Sequence, residues 1–165
     1  MTTNCCVTES VTDDDKSLEV LANEISTSRC KKCLAQSRPV SRTTVLLMLK
    51  PELLEQAVIG TYRFCSTAAC PIVYFEEQTR NSFTPDDLRV TVGVKATQNP
   101  IPLCYCFGFD ESHIRDEVSR TGRTTVPERI SRLIREGPCA CESRNPAGVC
   151  CLGEVNRAAK RLTLT

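Results

Sequence analysis

Residues 104–151 read CYCFGFDESHIRDEVSRTGRTTVPERISRLIREGPCACESRNPAGVCC, and six of the chain's twelve cysteines fall inside them. A CxC pair, Cys104 and Cys106, opens the stretch; two helix-like segments follow; Cys139, Cys141, Cys150 and Cys151 close it. Cysteines one residue apart sit on a tight turn from which both sulfurs can face one side, and a helical hairpin returns the second group to them. The pattern predicts a small helical unit that gathers four thiolates around one inorganic centre.

Structural zinc knuckles separate paired ligands by about two to four residues, which is wider than CxC. Iron-sulfur clusters are also held by four thiolates in short loops, and a two-iron cluster offers one metal corner to each of two ligand pairs. The spacing therefore points to an iron-sulfur cluster, with zinc as the alternative.

The segments between the cysteines carry helix punctuation. Asp110 caps a helix over 111–121 that presents Ile114 and Val118 on one face and stops at Gly122. Thr125 and Glu128 read as a capping box for the next helix, which carries Ile130, Leu133 and Ile134 and ends at Gly137. A third helix is expected from about Cys151, with Val155, Ala158, Ala159 and Leu162 as its buried stripe. A cysteine at a helix start faces orphan N–H groups and the positive dipole end, which favours its thiolate.

The run PIPLCYCFGFDESHIRDEVSRTGRTTVPERISRLIREGPCAC resembles the bacterioferritin-associated-ferredoxin-like [2Fe-2S] domains, and the longer closing loop CESRNPAGVCC is similar to the N-terminal domain of the CopZ-type copper chaperones. That resemblance implies one zinc ion and one [2Fe-2S] cluster. Carried over by motif, the cluster ligands are Cys104, Cys106, Cys141 and Cys151; preferring Cys141 to Cys139 and Cys151 to Cys150 follows from how the NPAG loop is matched. The resemblance extends upstream through FCSTAACPIVYFEEQT and RVTVGVK, so that it spans residues 28–160.

Residues 28–97 read as a second metal unit. Cys30 and Cys33 form CxxC, and Cys65 and Cys70 form CxxxxC, both at zinc-knuckle spacing. An all-sulfur site of this kind suits Zn2+ and could equally hold a single iron. Thr44 to Leu49 is a β-branched and apolar run, Pro51 starts a short helix through Ala57, and Gly60 breaks it. Residues 61–64, 72–75 and 89–95 read as strands, the last on the alternation of Val90, Val92 and Val94. A lobe of about 70 residues gains only about 3 to 5 kcal/mol from its own core, so metal is expected to staple it. Residues 96–103, ATQNPIPL, form an extended linker because Pro100 and Pro102 forbid helix.

Residues 1–27 hold six acids against Lys16 and read as a disordered tail with at most a short helix over 16–25; Cys5 and Cys6 lie in it. The expected architecture is thus α+β: a tail over 1–27, a zinc-stapled β-rich lobe over 28–97, and a helical [2Fe-2S] lobe over 98–165.

Composition removes other classes. The net charge is +1 and the chain has eight aromatic residues, none of them tryptophan, so no basic-aromatic surface for nucleic acid is present. No basic and apolar leader opens the chain, and its longest strongly apolar run, Val45 to Leu49, is too short to cross a bilayer; a cytoplasmic protein with reduced cysteines is expected. The lone histidine, His113, lies in the first turn of a helix without a partner nucleophile and reads as a surface residue.

Three functions fit. The first is a metallochaperone or metal-resistance accessory whose cluster reduces or senses a soft ion, copper or mercury, and which works with a metal-transporting ATPase, a metal transporter or a reductase. The second is a ferredoxin-like electron carrier, and the third a structural or regulatory zinc module. None is a turnover enzyme. The MxCxxC motif of the full CopZ-type chaperones does not occur in residues 1–165, where Met1 and Met48 are the methionines. If eight cysteines hold zinc and cluster, Cys5, Cys6, Cys139 and Cys150 remain as candidates for a transferred Cu+.

Overall fold

The computed structural model describes residues 28–164; the expected tail helix, Cys5 and Cys6 lie outside the described residues. The architecture is α+β. Its first part is an antiparallel sheet in the order β1 (Arg38–Val40), β2 (Tyr62–Phe64), β3 (Tyr74–Glu76) and β4 (Ser82–Phe83), with Tyr62 opposite Glu76 and Phe64 opposite Tyr74.

Both faces of this sheet are covered. Tyr62, Phe64, Tyr74 and Phe83 enter a core with Val45, Met48, Leu49 and Leu88, while Phe75 packs on the opposite side against Cys30, Cys65 and Cys70. Successive residues of a strand point to opposite faces, which is how Tyr74 and Phe75 serve two different clusters.

The β-branched run before Pro51 is helical. Helix α1 (Arg42–Met48) starts at Ser41, whose Oγ accepts from the Thr44 amide at 3.0 Å. It buries Thr44, Val45 and Met48, a helical face, so the cap and the i, i+4 spacing override the strand propensity of valine and threonine. Pro51–Gln56 is a 3-10 turn, close to the short helix expected there.

The strand expected over 89–95 is absent. Gly93–Lys95 is a 3-10 turn, and Tyr105 takes the backbone groups a neighbouring strand would have used: its hydroxyl donates to the Thr91 carbonyl at 3.0 Å and accepts from the Gly93 amide at 2.8 Å. Pro102 approaches so closely that a Cβ on Gly93 would stand 2.0 Å from its carbonyl oxygen. Valine alternation here reflects Val92 entering the first core, not pairing in a sheet.

The second part begins with the short pair β5 (Pro102–Cys104) and β6 (Phe109–Asp110), followed by α2 (Glu111–Thr121), α3 (Val126–Arg135), α4 (Cys141–Arg144) and α5 (Leu152–Thr163). Asp110 caps α2 by accepting from the Ser112 amide at 2.8 Å, and Gly122 closes it in the left-handed region at φ 74°. Val155, Ala158, Ala159 and Leu162 are buried as the sequence predicts, against Ile114 of α2 and Ile130 of α3. His113 is exposed and closes the cap on Asp110, its ring 5.3 Å from that of Phe109.

The capping box at Thr125 is not formed by Thr125 itself. The Glu117 carboxylate, reaching over from α2, accepts from the Thr125 amide at 2.6 Å and the Thr124 hydroxyl at 2.9 Å. Glu117 thus takes the Thr125 amide that the box would have given to Glu128, and the Thr125 hydroxyl donates to Glu117 at 3.3 Å instead of accepting from the helix.

The two parts meet along the loop that follows α4. The Thr44 hydroxyl donates to the Glu142 carbonyl and the Tyr74 hydroxyl to the Pro146 carbonyl at 2.6 Å, while α1 packs on α4. Among the described residues no helix is long and apolar enough to cross a membrane.

Candidate metal centres

The first sulfur set is built by two turns. Cys30 and Cys33 flank a tight turn in which the Leu34 amide donates to the Cys30 carbonyl at 2.8 Å and Leu34 adopts φ 60°. Cys65 follows β2, and the turn to Cys70 is closed by the Cys70 amide donating to the Thr67 carbonyl at 3.1 Å. The four sulfurs lie within 4.8 Å of one another, with Cys30 and Cys70 at 3.8 Å and Cys33 and Cys65 at 3.6 Å. Four sulfurs at about 2.3 Å from a tetrahedral zinc ion stand about 3.8 Å apart, so the donor set fits that ion.

Charge at this site is already biased. A hydrogen bond with Thr67, whose Oγ1 lies 3.4 Å away, draws the Cys33 thiol down to about 6, while burial pushes Cys65 up and Cys70 up to about 12. A bound cation favours thiolate and would offset the burial that opposes ionisation of Cys65 and Cys70.

The second sulfur set draws on β5, the following turn, α4 and the start of α5. Cys106 and Cys141 are 3.6 Å apart, and Cys139 is 3.4 Å from Cys141. Cys106, Cys139 and Cys141 form a group within 4.8 Å. Cys104 and Cys151 are each 1% exposed and belong to the same buried core. Their mutual hydrogen bond draws Cys104 down to about 6 and holds Cys151 up. Burial pushes Cys141 up to about 12.

Of the four cysteines assigned to the cluster, Cys106 and Cys141 come together with Cys139, while Cys104 and Cys151 are buried in the same core. Cys150 is exposed, and it lines a cavity of about 670 Å³ between Arg38, Phe64 and Tyr105 on one side and Arg157 on the other. None of the described cysteines forms a disulfide.

A family model for the CopZ zinc-binding domain matches residues 27–89, a span that contains Cys30, Cys33, Cys65 and Cys70. The copper chaperone CopZ of Archaeoglobus fulgidus is 31% identical over 147 residues, covering 82% of this chain and 69% of that protein. The chain belongs to the CopZ family. The crystal structure of the N-terminal domain of the Archaeoglobus fulgidus CopZ is similar, with a TM-score of 0.65, 30% identity and coverage of 78% of this chain and 95% of that one. The CopZ likeness therefore runs well beyond residues 27–89 into the helical part.

Several supporting residues carry no motif and escape a reading of this CopZ-type sequence. Lys95 reaches back from the 3-10 turn and donates to the Thr67 carbonyl at 2.7 Å and the Cys70 carbonyl at 3.0 Å, placing a cation beside the first sulfur set. Lys31 donates to the Glu76 carbonyl at 3.2 Å and to that of Thr79, tying the first turn to the β3–β4 hairpin. At the second set the Ala140 amide donates to Cys106 Sγ at 3.4 Å. Lys95 lies at the end of the 89–95 segment read as a strand, which does not form.

Proposed function

We propose that the chain is a metal-handling protein with two resident centres: zinc held by Cys30, Cys33, Cys65 and Cys70, and a [2Fe-2S] cluster held by Cys104, Cys106, Cys141 and Cys151. Its task is that of a metallochaperone or metal-resistance accessory for a soft ion, copper first and mercury second. The observation that supports this reading is the gathering of the described cysteines into a closed four-sulfur set and a second group around Cys106, Cys139 and Cys141. The relative named a copper chaperone supports copper as cargo.

A bound [2Fe-2S] cluster supplies one electron at a time. The residues of this chain do the rest. Cys104, Cys106, Cys141 and Cys151 would hold the cluster, while Tyr74 and Thr44 hold the loop that joins Cys141 to Cys151. Zinc at the first set has no redox chemistry and would act by fixing two turns. A cytoplasmic setting keeps both sets reduced, and a reductase with a metal-transporting ATPase or other transporter would be the partners.

Anaerobic purification with metal and sulfide analysis tests this. One zinc, two irons and two acid-labile sulfides per chain are expected, with an EPR signal that appears on one-electron reduction. A colourless protein holding zinc alone overturns the redox reading.

A further inference from the structure

Cys106, Cys139 and Cys141 bring their sulfurs within 4.8 Å of one another, with Cys106 and Cys141 3.6 Å apart and Cys139 3.4 Å from Cys141. Among the described residues this group holds three sulfurs; Cys104 and Cys151 lie outside it and are more deeply buried. Backbone contacts fix the arrangement. The amide of Ala140, which stands between Cys139 and Cys141 in the chain, donates to Cys106 Sγ at 3.4 Å, and Arg144 Nη1 donates to the Cys106 carbonyl at 3.4 Å. Cys141 is buried while Cys106 and Cys139 are half-buried, so solvent reaches the group from their side.

We propose that Cys106, Cys139 and Cys141 form a three-thiolate site for trivalent arsenic in the chain that has not yet received its cluster. A set of three leaves zinc one ligand short. Soft centres take thiolates, and trivalent arsenic is complete with three bonds, its lone pair filling the fourth direction. Three sulfurs about 2.3 Å from an ion lying in their plane stand about 4.0 Å apart. Two of the edges here are shorter, which places the bound atom above the plane, as the lone pair of arsenic requires. Arsenite arrives as neutral As(OH)3. Each S–H is exchanged for an S–As bond and each As–OH leaves as water, so three thiols and one As(OH)3 give one arsenic trithiolate and three waters with no change of oxidation state. The inference goes beyond the proposed function and excludes it at the same moment: Cys106 and Cys141 serve the cluster there, so a chain that holds arsenic here has no room for the cluster.

The test uses the full chain with zinc bound, in a Cys5→Ser, Cys6→Ser background that removes the vicinal thiols of the N-terminal segment, prepared anaerobically with and without iron. The probe is sodium arsenite, and bound arsenic is counted after desalting. The iron-free chain is expected to hold one arsenic and then to refuse iron and sulfide on reconstitution. Cys139→Ser is expected to keep its iron and to bind arsenite more weakly by at least the roughly 10- to 100-fold that follows loss of a mere supporting partner at a metal site. Cys104→Ser is expected to do the reverse, losing iron and binding arsenite as the parent does. Iron and sulfide in the parent decide the cluster reading by themselves, and the arsenic counts decide this one. X-ray absorption of the arsenic-loaded parent, which depends on no variant folding, should show three sulfur neighbours. Undiminished binding by Cys139→Ser overturns the proposal, as does an arsenic with two sulfurs and one oxygen. Loss of arsenite binding in a Cys104→Ser protein of unchanged helical circular dichroism also overturns it, because the ion would then use the cluster's own ligands.

Discussion

Cys30, Cys65 and Cys70 form a small cluster with Phe75, separated by a strand from the aromatic core of Tyr62, Phe64, Tyr74 and Phe83. Cys104, Cys141 and Cys151, by contrast, are members of the core that also holds Ile114, Val126, Ile130 and Val155. The same residue type thus plays two structural parts. In the first set the sulfurs are the interior of their own turns, and only an ion can hold them together. In the second they sit among helices that bury apolar side chains independently of any ion. Metal should therefore decide the fold on one side and only the chemistry on the other.

The strongest break in that contrast comes from removing one sulfur on each side. Cys65→Ala should release zinc and open both turns, because binding contributes about 10 to 16 kcal/mol against about 3 to 5 kcal/mol from a core of this size. Cys106→Ala should lose iron while retaining its helical circular dichroism. Limited proteolysis is expected to cut within 28–37 and 65–72 in the first variant and to spare the helices in the second. A protease-resistant Cys65→Ala protein would show that the aromatic core alone suffices.

A gentler probe concerns Lys95, whose ammonium clamps two carbonyls of the 65–70 turn. Lys95→Met keeps the aliphatic stem and removes the donors and the charge. Zinc affinity, measured by chelator competition, should fall roughly 10- to 100-fold with the iron content unchanged. Equal affinity would reduce Lys95 to a solvated surface residue and leave the cysteines as the whole of the first site.

The helical side was the more legible in the sequence because its signals are local. Asp110, Gly122 and the stripe Val155, Ala158, Ala159 and Leu162 each specify structure within one or two turns, and each is found where it was expected. The four cysteines of the first set were also legible, since turn spacing alone brings each pair together. What failed depends on distant partners. The strand expected over 89–95 gives way to Tyr105 and Pro102, and the Thr125 box gives way to Glu117. No spacing rule separates Cys139 from Cys141 either, because one turn brings both to Cys106.

Gly93 tests the long-range contact that replaced the strand. Gly93→Ala puts a methyl where the Pro102 carbonyl stands, and carbonyl oxygen is backbone that cannot swing aside. A loss of about 1 to 3 kcal/mol is expected from such overpacking, read by chemical denaturation of the metal-loaded protein. The turn that carries Lys95 would shift with it, so zinc affinity should drop in parallel. Unchanged stability would mean that Pro102 yields freely and that the two parts are less firmly joined than Tyr105 suggests.

The smallest effect addresses whether the helices support themselves. Glu117 accepts hydrogen bonds from the Thr125 amide at 2.6 Å, the Thr124 hydroxyl at 2.9 Å and Arg129 Nη1 at 3.1 Å. The Thr125 amide, opposed by burial and helped by the other donors, holds its carboxyl below the ordinary value of 4.5. A carboxylate with a lowered folded pKa contributes stability that is complete above its unfolded value and is lost as pH falls through the folded one. Glu117→Gln keeps the shape and removes the charge, so it should cost about 0.5 to 2 kcal/mol at neutral pH, the range of an N-terminal cap. The gap between wild type and variant should then close as the pH falls below 4.5. Taking the difference between two proteins cancels the loss of metal that acid causes in both. A gap that stays constant with pH would mean that the cap acts through shape alone, and α3 would then depend on packing around Cys104, Cys141 and Cys151 more than the contrast between the two sulfur sets allows.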